Sequence, residues 1–156
     1  MEIPKKLDIG SGPWKKKGFF GIDIRPFWAG ENPDKNLEVD ADMFHDLNSG
    51  IPFPSNTIEE IYASHFMEHI ANIYFMLDEC HRVLQPKGIL EIIVPLFETK
   101  SVDHVTCFYP DWFERNINLP GAKYKGLFQI MFKQIKTVKL EDREFESLTL
   151  ILEVLK

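Results

Sequence analysis

Two apolar runs near the start of the chain are separated by Pro13–Gly18 alone. The first, Lys6-Leu-Asp-Ile-Gly-Ser-Gly-Pro13, ends in a Gly-x-Gly turn. The second, Phe19-Phe-Gly-Ile-Asp-Ile24, ends at an acid. A strand that runs into Gly-x-Gly lets backbone N–H groups approach a ligand closely, and an acid at the tip of the next strand can accept hydrogen bonds from both hydroxyls of a ribose. The pair reads as a nucleoside site. The short spacer constrains the fold as well. A parallel crossover normally takes a dozen residues and includes a helix, but six or seven extended residues reach roughly 20 Å, enough to return along a short strand as coil. The first crossover helix is therefore expected to be missing. One sheet face is left thinly covered, with Lys15-Lys-Lys17 on the crossing loop and Trp14, Phe19, Phe27 and Trp28, or a partner, as cover.

Beyond this pair, strands are expected at Asn36–Val39, at Glu60–Ala63 and at Ile89–Val94. The last of these is apolar apart from Glu91, as befits a strand buried on both faces. Ile70, Ile73, Tyr74, Leu77, His81 and Leu84 recur at helical spacing, which predicts an amphipathic helix over about 70–85, ended by Pro86-Lys-Gly88. Pro110–Arg115 reads as a short helix with proline in its first turn. Leu127–Phe132 with Ile135–Leu140, and Leu148–Leu155, read as two closing strands joined by the charged turn Glu141–Glu144. Alternating strands and helices predict a mostly parallel α/β sheet. The closing pair, with no helix between its strands, predicts an antiparallel strand at the edge.

A net charge of −6 argues against broad attraction to nucleic acid or anionic lipid. The apolar runs are too short to span a bilayer. The start, Met1-Glu-Ile-Pro-Lys-Lys, lacks the pattern of a signal peptide, and Cys80 and Cys107 form no CxxC pair, so a cytoplasmic protein with free thiols is expected.

Over about residues 6–113 the chain resembles class I S-adenosylmethionine-dependent methyltransferases. The matching pieces are Leu7-Asp-Ile-Gly-Ser-Gly12, Gly21-Ile-Asp-Ile24, His45-Asp-Leu47, Ile51-Pro-Phe-Pro54, Ile58–His65, Glu68-His-Ile70 and His81–Gly88. Their order and spacing carry the resemblance more than any one of them. It implies a Rossmann-like three-layer sandwich whose mostly parallel seven-stranded sheet has an antiparallel last strand, forming one methyltransferase-like domain over residues 1–156. It implies S-adenosyl-L-methionine as cofactor. Asp8, Gly10, Ser11 and Gly12 would line the loop under its methionine part, Asp23 would hold the ribose, and Ile24 would lie against the adenine. Asp46 would accept from the adenine amino group, Leu47 would pack on the ring, and Ser64 and His65 would face the methyl group and its acceptor.

Methyl transfer from a sulfonium is an in-line displacement in which alignment supplies much of the rate. An oxygen or nitrogen acceptor also calls for a base. His65, His69, His104 and Tyr109 are candidates, His69 and His104 the favoured two. His65-Phe-Met-Glu-His69 also matches the H-x-x-E-H pattern of zinc peptidases. However, His65 falls at a strand end and no downstream helix offers a third ligand, so no metal is expected. Asp40, Asp42 and Asp46 read as a solvated acidic turn beside one adenine-contacting acid rather than as a metal cluster, Cys80-His81 as packed helix residues, and the lysines at 123, 125, 133, 136 and 139 as a solvated face. A cofactor-binding subunit without catalysis and a nicotinamide oxidoreductase are the remaining alternatives. The acceptor is not legible, and a homo-oligomer or partner subunit over the thin face is compatible with the pattern.

Overall fold

The computed structural model describes residues 2–25, 27–28, 37–97, 104–139 and 144–156, with only the backbone described at 27 and 28. Its strands are β1 (Lys6–Ile9), β2 (Phe20–Asp23), β3 (Phe27–Trp28), β4 (Leu37–Glu38), β5 (Met43–Phe44), β6 (Ile58–Ser64), β7 (Leu84–Pro95), β8 (Phe128–Lys139) and β9 (Glu144–Val154). Helices α1 (Ile73–Val83) and α2 (Trp112–Ile117) and two 3-10 turns, Leu47–Ser49 and Met67–His69, complete the described elements. No helix among the described residues is long and apolar enough to cross a membrane.

Seven strands form one sheet in the order β5-β2-β1-β6-β7-β9-β8. β5, β2, β1, β6 and β7 run parallel, and β9 is antiparallel to both its neighbours. The antiparallel strand is thus the last in sequence, as expected, but it sits one place in from the edge, and β8 is outermost. The apolar alternation of β9, with Leu148, Leu150, Leu152 and Val154 buried, needs neighbours on both sides, whereas β8 is mostly exposed.

The third sheet strand also differs from expectation. Within the predicted Asn36–Val39, Leu37–Glu38 pairs antiparallel with β3 in a separate ribbon, and Met43–Phe44 takes the place beside β2. The cause is local: Asp42 N donates to Gly21 O (2.9 Å) and His45 N to Asp23 O (2.8 Å), which claims the outer edge of β2 for residues 42–45. The predicted turn 141–143 lies outside the described residues.

Helix α1 starts where Asn72 accepts from Phe75 N (3.1 Å), a side-chain cap that satisfies an otherwise unpaired amide. Ile73, Met76, Leu77, Cys80 and Val83 form its buried stripe. It stops two residues short of expectation because Leu84 is already extended (φ −66, ψ 138) and pairs with Ile58, in keeping with the bias of residues before Pro86 away from helix. The predicted helix at 110–115 is shifted to Trp112–Ile117.

The α1 and α2 stripes share a core cluster with Leu7, Ile9, Ile61, Ala63, Leu90, Ile92, Leu150 and Leu152. The intervening strand residues, Asp8, Tyr62, Glu91 and Ile151, are aligned in register on the opposite face. Among the described residues that second face carries no helix, so the third layer is coil: residues 10–19 cross from β1 to β2 without a helical turn. Lys16 does the covering. Its Nζ meets Glu91 Oε2 (2.5 Å) and lies 4.0 Å from the Tyr62 ring centre and 4.9 Å from that of Phe19, so its aliphatic stem shields the sheet while its charge stays paired. Trp14, one of the expected covers, is 70% exposed.

On the helical face Arg82 fastens the segment before β6. It donates to Phe53 O and Ile51 O (both 2.9 Å) and to both carboxylate oxygens of Glu79, which in turn accepts Ile51 N (2.8 Å). The Arg82 guanidinium holds the Glu79 carboxyl below its ordinary value of 4.5, against the opposing effect of burial. Arg82→Ala is expected to destabilise the fold by about 2 kcal/mol in chemical denaturation, since charge-assisted bonds and a half-buried carboxylate lose their partner together. Because the Glu79 pKa is depressed in the folded state, the stability it contributes is complete above its unfolded value and is lost as pH falls through the folded one. Thermal unfolding followed down to about pH 3 should show Glu79→Gln losing less stability on acidification than the native chain.

Candidate cofactor and acceptor site

β1, β2 and β6 are parallel neighbours, so their C-terminal tips open at the same edge, which is where α/β sheets bind ligands. The glycine loop after β1 is built from the backbone outward. Gly10 (φ +70) donates to Ile22 O (2.8 Å), and Ser11 Oγ donates to Asp40 O (2.9 Å). A Cβ on Gly10 would stand 2.4 Å from the Phe66 ring, so this position must be glycine for Phe66, two residues past β6, to lean on the loop. Gly12 (φ +55) is different: nothing lies within 4 Å of where its side chain would be. Its backbone faces open space.

Gly12 N donates to Asp23 Oδ2 (2.9 Å), and Ile24 N to Asp23 Oδ1 (2.7 Å). Both oxygens of Asp23 are thereby aimed, and each retains acceptor capacity. Ile24 beside it is 58% exposed, an apolar surface next to a polar pair. Asp46 caps the 3-10 turn, its Oδ1 accepting from Asn48 N (3.0 Å). Asn48 Oδ1 also accepts from Ala71 N (3.2 Å), which joins this turn to the segment after β6.

Two expected cofactor residues sit differently from their predicted roles. Asp8 is 2% exposed, and its carboxylate is taken by Lys16 N (2.6 Å), so it braces the crossover from below. Burial pushes its pKa up, with the Lys16 amide opposing. Leu47 is 4% exposed and belongs to the core. The acidic turn is also more than a solvated one. Asp40 and Asp42 each pair with Lys15 at 2.9 Å, and Asp42 accepts Gly21 N (2.8 Å), which holds its pKa down.

Ser64 ends β6, half-buried, and His65 follows in a left-handed conformation (φ +51) with its ring 44% exposed. That backbone turn places His65 outside any helix, so the two histidines of H-x-x-E-H do not share a helical face and the peptidase arrangement does not form. Instead His69 meets His104, with ring centres 4.8 Å apart, and Glu68 lies against the pair. The two histidines favoured from sequence are therefore brought together across the tips of β6 and β7. Glu68, read from sequence only as the acid of the H-x-x-E-H pattern and as part of Glu68-His-Ile70, is 1% exposed and has no hydrogen-bond partner at either carboxylate oxygen. Its burial was not legible from that pattern.

The order β5-β2-β1-β6-β7-β9-β8, with an antiparallel strand next to last in position, departs from the all-parallel sheet of dinucleotide oxidoreductases. A family model described as a methyltransferase domain matches residues 17–92. Residues 17–92 thus resemble a methyltransferase domain, and S-adenosylmethionine-dependent methyltransferases share the fold. Structures agree in fold at low identity. The YcgJ protein of Bacillus subtilis has a TM-score of 0.64 and 12% identity over 97% of this chain and 92% of that one. A Thermotoga maritima S-adenosylmethionine-dependent methyltransferase, described as a possible histamine N-methyltransferase, has a TM-score of 0.66 and 14% identity over 100% and 84%. The protein crystallised with the Haloferax volcanii Trm112 methyltransferase activator has a TM-score of 0.66 and 15% identity over 99% and 84%. No curated sequence matches the chain.

Asp23→Ala is expected to weaken binding of S-adenosylhomocysteine more than about tenfold, the scale of one lost charge-assisted hydrogen bond, with the thermal transition retained. Calorimetric titration reads the first, and thermal unfolding the second.

Proposed function

We propose that this chain binds S-adenosyl-L-methionine across the tips of β1 and β2 and transfers its methyl group to an acceptor held near His69 and His104. The observation that carries the reading is the Gly12–Asp23 clamp: a glycine with open space where a side chain would stand, its amide holding an oriented carboxylate on the neighbouring strand tip. Asp23 would receive the two ribose hydroxyls, Ile24 would cover the adenine, and Asp46 would accept from its amino group. The backbone of Gly10, Ser11 and Gly12 would run beneath the methionine part, with Asp8 bracing that loop and Leu47 supporting the adenine side from the core.

Bound there, the cofactor supplies a methyl group on an activated sulfonium leaving group. Ser64 and His65, at the tip of β6, would flank the path between methyl and acceptor. One ring of the His69–His104 pair would take the acceptor's proton as the new bond to carbon forms, a contribution typically worth 10²–10⁴-fold. The acceptor is an oxygen or nitrogen nucleophile.

A second reading, a cofactor-binding subunit that acts only with a partner, is favoured by the coil-covered face under Lys16. The Haloferax volcanii neighbour, solved with an activator, gives it a precedent in the same fold.

Calorimetry should show one S-adenosylhomocysteine site per chain that NADH does not compete for. With an accepted substrate, His69→Ala and His104→Ala are each expected to slow methyl transfer about 100-fold or more while leaving S-adenosylhomocysteine affinity within about twofold. Loss of affinity instead of rate would move the histidines from the acceptor to the cofactor.

A further inference from the structure

Glu68 presents a problem of charge. Its side chain is 1% exposed, yet neither carboxylate oxygen has a hydrogen-bond partner, and a buried carboxylate without partners is costly. The groups around it are imidazoles. His65 Nδ1 stands 3.4 Å from Oε1, and one nitrogen each of His69 and His104 lies with a Glu68 oxygen such that the three atoms are all within 4.8 Å of one another. His104 Nδ1 is itself buried without a hydrogen-bond partner.

We propose that Glu68, His69 and His104 form a site for one divalent transition-metal ion of the zinc type. Two imidazoles and one carboxylate are a donor set that such ions accept, with a further position open for water or substrate. Donor atoms around a tetrahedral zinc ion lie about 3.3 Å apart, so the present separation closes by side-chain rotation of an ångström or so. The backbone already holds the two halves in place. Val105 N and Thr106 N both donate to Glu68 O (2.8 and 3.1 Å), which pins the residues after His104 onto the segment that bears Glu68 and His69. His69 N donates to Phe66 O (3.0 Å), which fixes the turn. Both histidines are half-buried, so the group they form with Glu68 reaches toward the surface.

The ion's use in methyl transfer rests on the function proposed above. With the ion bound, the two rings would be ligands, and the ion would lower the acceptor's pKa in place of an imidazole base. Binding of the ion stands apart from that reading and is tested apart from it.

The full-length chain, stripped with a chelator, is titrated with Zn²⁺ alone by calorimetry and with Co²⁺ by visible absorption. One ion per chain is expected, with the absorption of low-coordinate cobalt. His104→Ala and Glu68→Gln should each weaken binding at least about tenfold, and His45→Gln should leave it unchanged. Where Glu68→Gln does not fold, His104→Ala decides alone. Absence of stoichiometric binding, or binding that His104→Ala leaves intact, overturns the site. Asp23→Ala, titrated with both ligands, should bind Zn²⁺ normally while losing S-adenosylhomocysteine, which separates failure of the ion site from failure of the cofactor site.

Discussion

A coil that stands in for a helix has amides that no i→i+4 ladder satisfies, and in this molecule carboxylates at strand tips take them. Lys16 N goes to Asp8 and Gly12 N to Asp23. Backbone donors must be paired when shielded from water, and these two pairings let residues 10–19 cross the sheet in so few steps. The candidate cofactor site is a product of the same arrangement. The carboxylate offered to a ribose is aimed by the loop it helps to hold, so cofactor site and crossover share one set of hydrogen bonds.

The two faces of the sheet are built by different means. On one, α1 and α2 bury aliphatic stripes against Leu7, Ile61, Leu90 and Leu150. On the other, Lys16 bridges Glu91 and the rings of Tyr62 and Phe19. The first face gains from burial of apolar area. Among the described residues the second relies on a paired charge and a few aromatic contacts, a lighter cover than the helices give.

Sequence made the parallel half of the sheet legible because its signals are local. Gly-x-Gly, a following acid and a buried apolar run each describe one strand and its tip, and the short spacer foretold the missing helix by reach alone. The third sheet strand was misplaced because Leu37–Glu38 and Met43–Phe44 are equally short, and the choice between them was made by hydrogen bonds to Gly21 and Asp23, far away in sequence. The position of β9 inside the edge was hidden for a similar reason: strand order is a long-range property. At the site, His69 and His104 could be named from their places after two strand tips, but Glu68 could not be singled out. The contacts that place it, from Val105 and Thr106 amides to its carbonyl, come from far along the chain. Asp8 shows the converse. Its motif position pointed to a ligand, while its hydrogen bond went to the crossover.

The outermost strand, β8, carries Met131, Phe132 and Ile135 in the open at 53, 43 and 40%. A long apolar border strand is a template on which another chain can extend the sheet. Lys133, Lys136 and Lys139 are spaced along it at every third residue. Lys133 is bound to Glu114, Lys139 pairs with Glu144, and Lys136 is exposed. Of the three, Lys136 alone has no carboxylate partner among the described residues, so it is the one that sets unpaired positive charge against a second copy of the strand, and conditions that screen it, such as high ionic strength, would favour clumping.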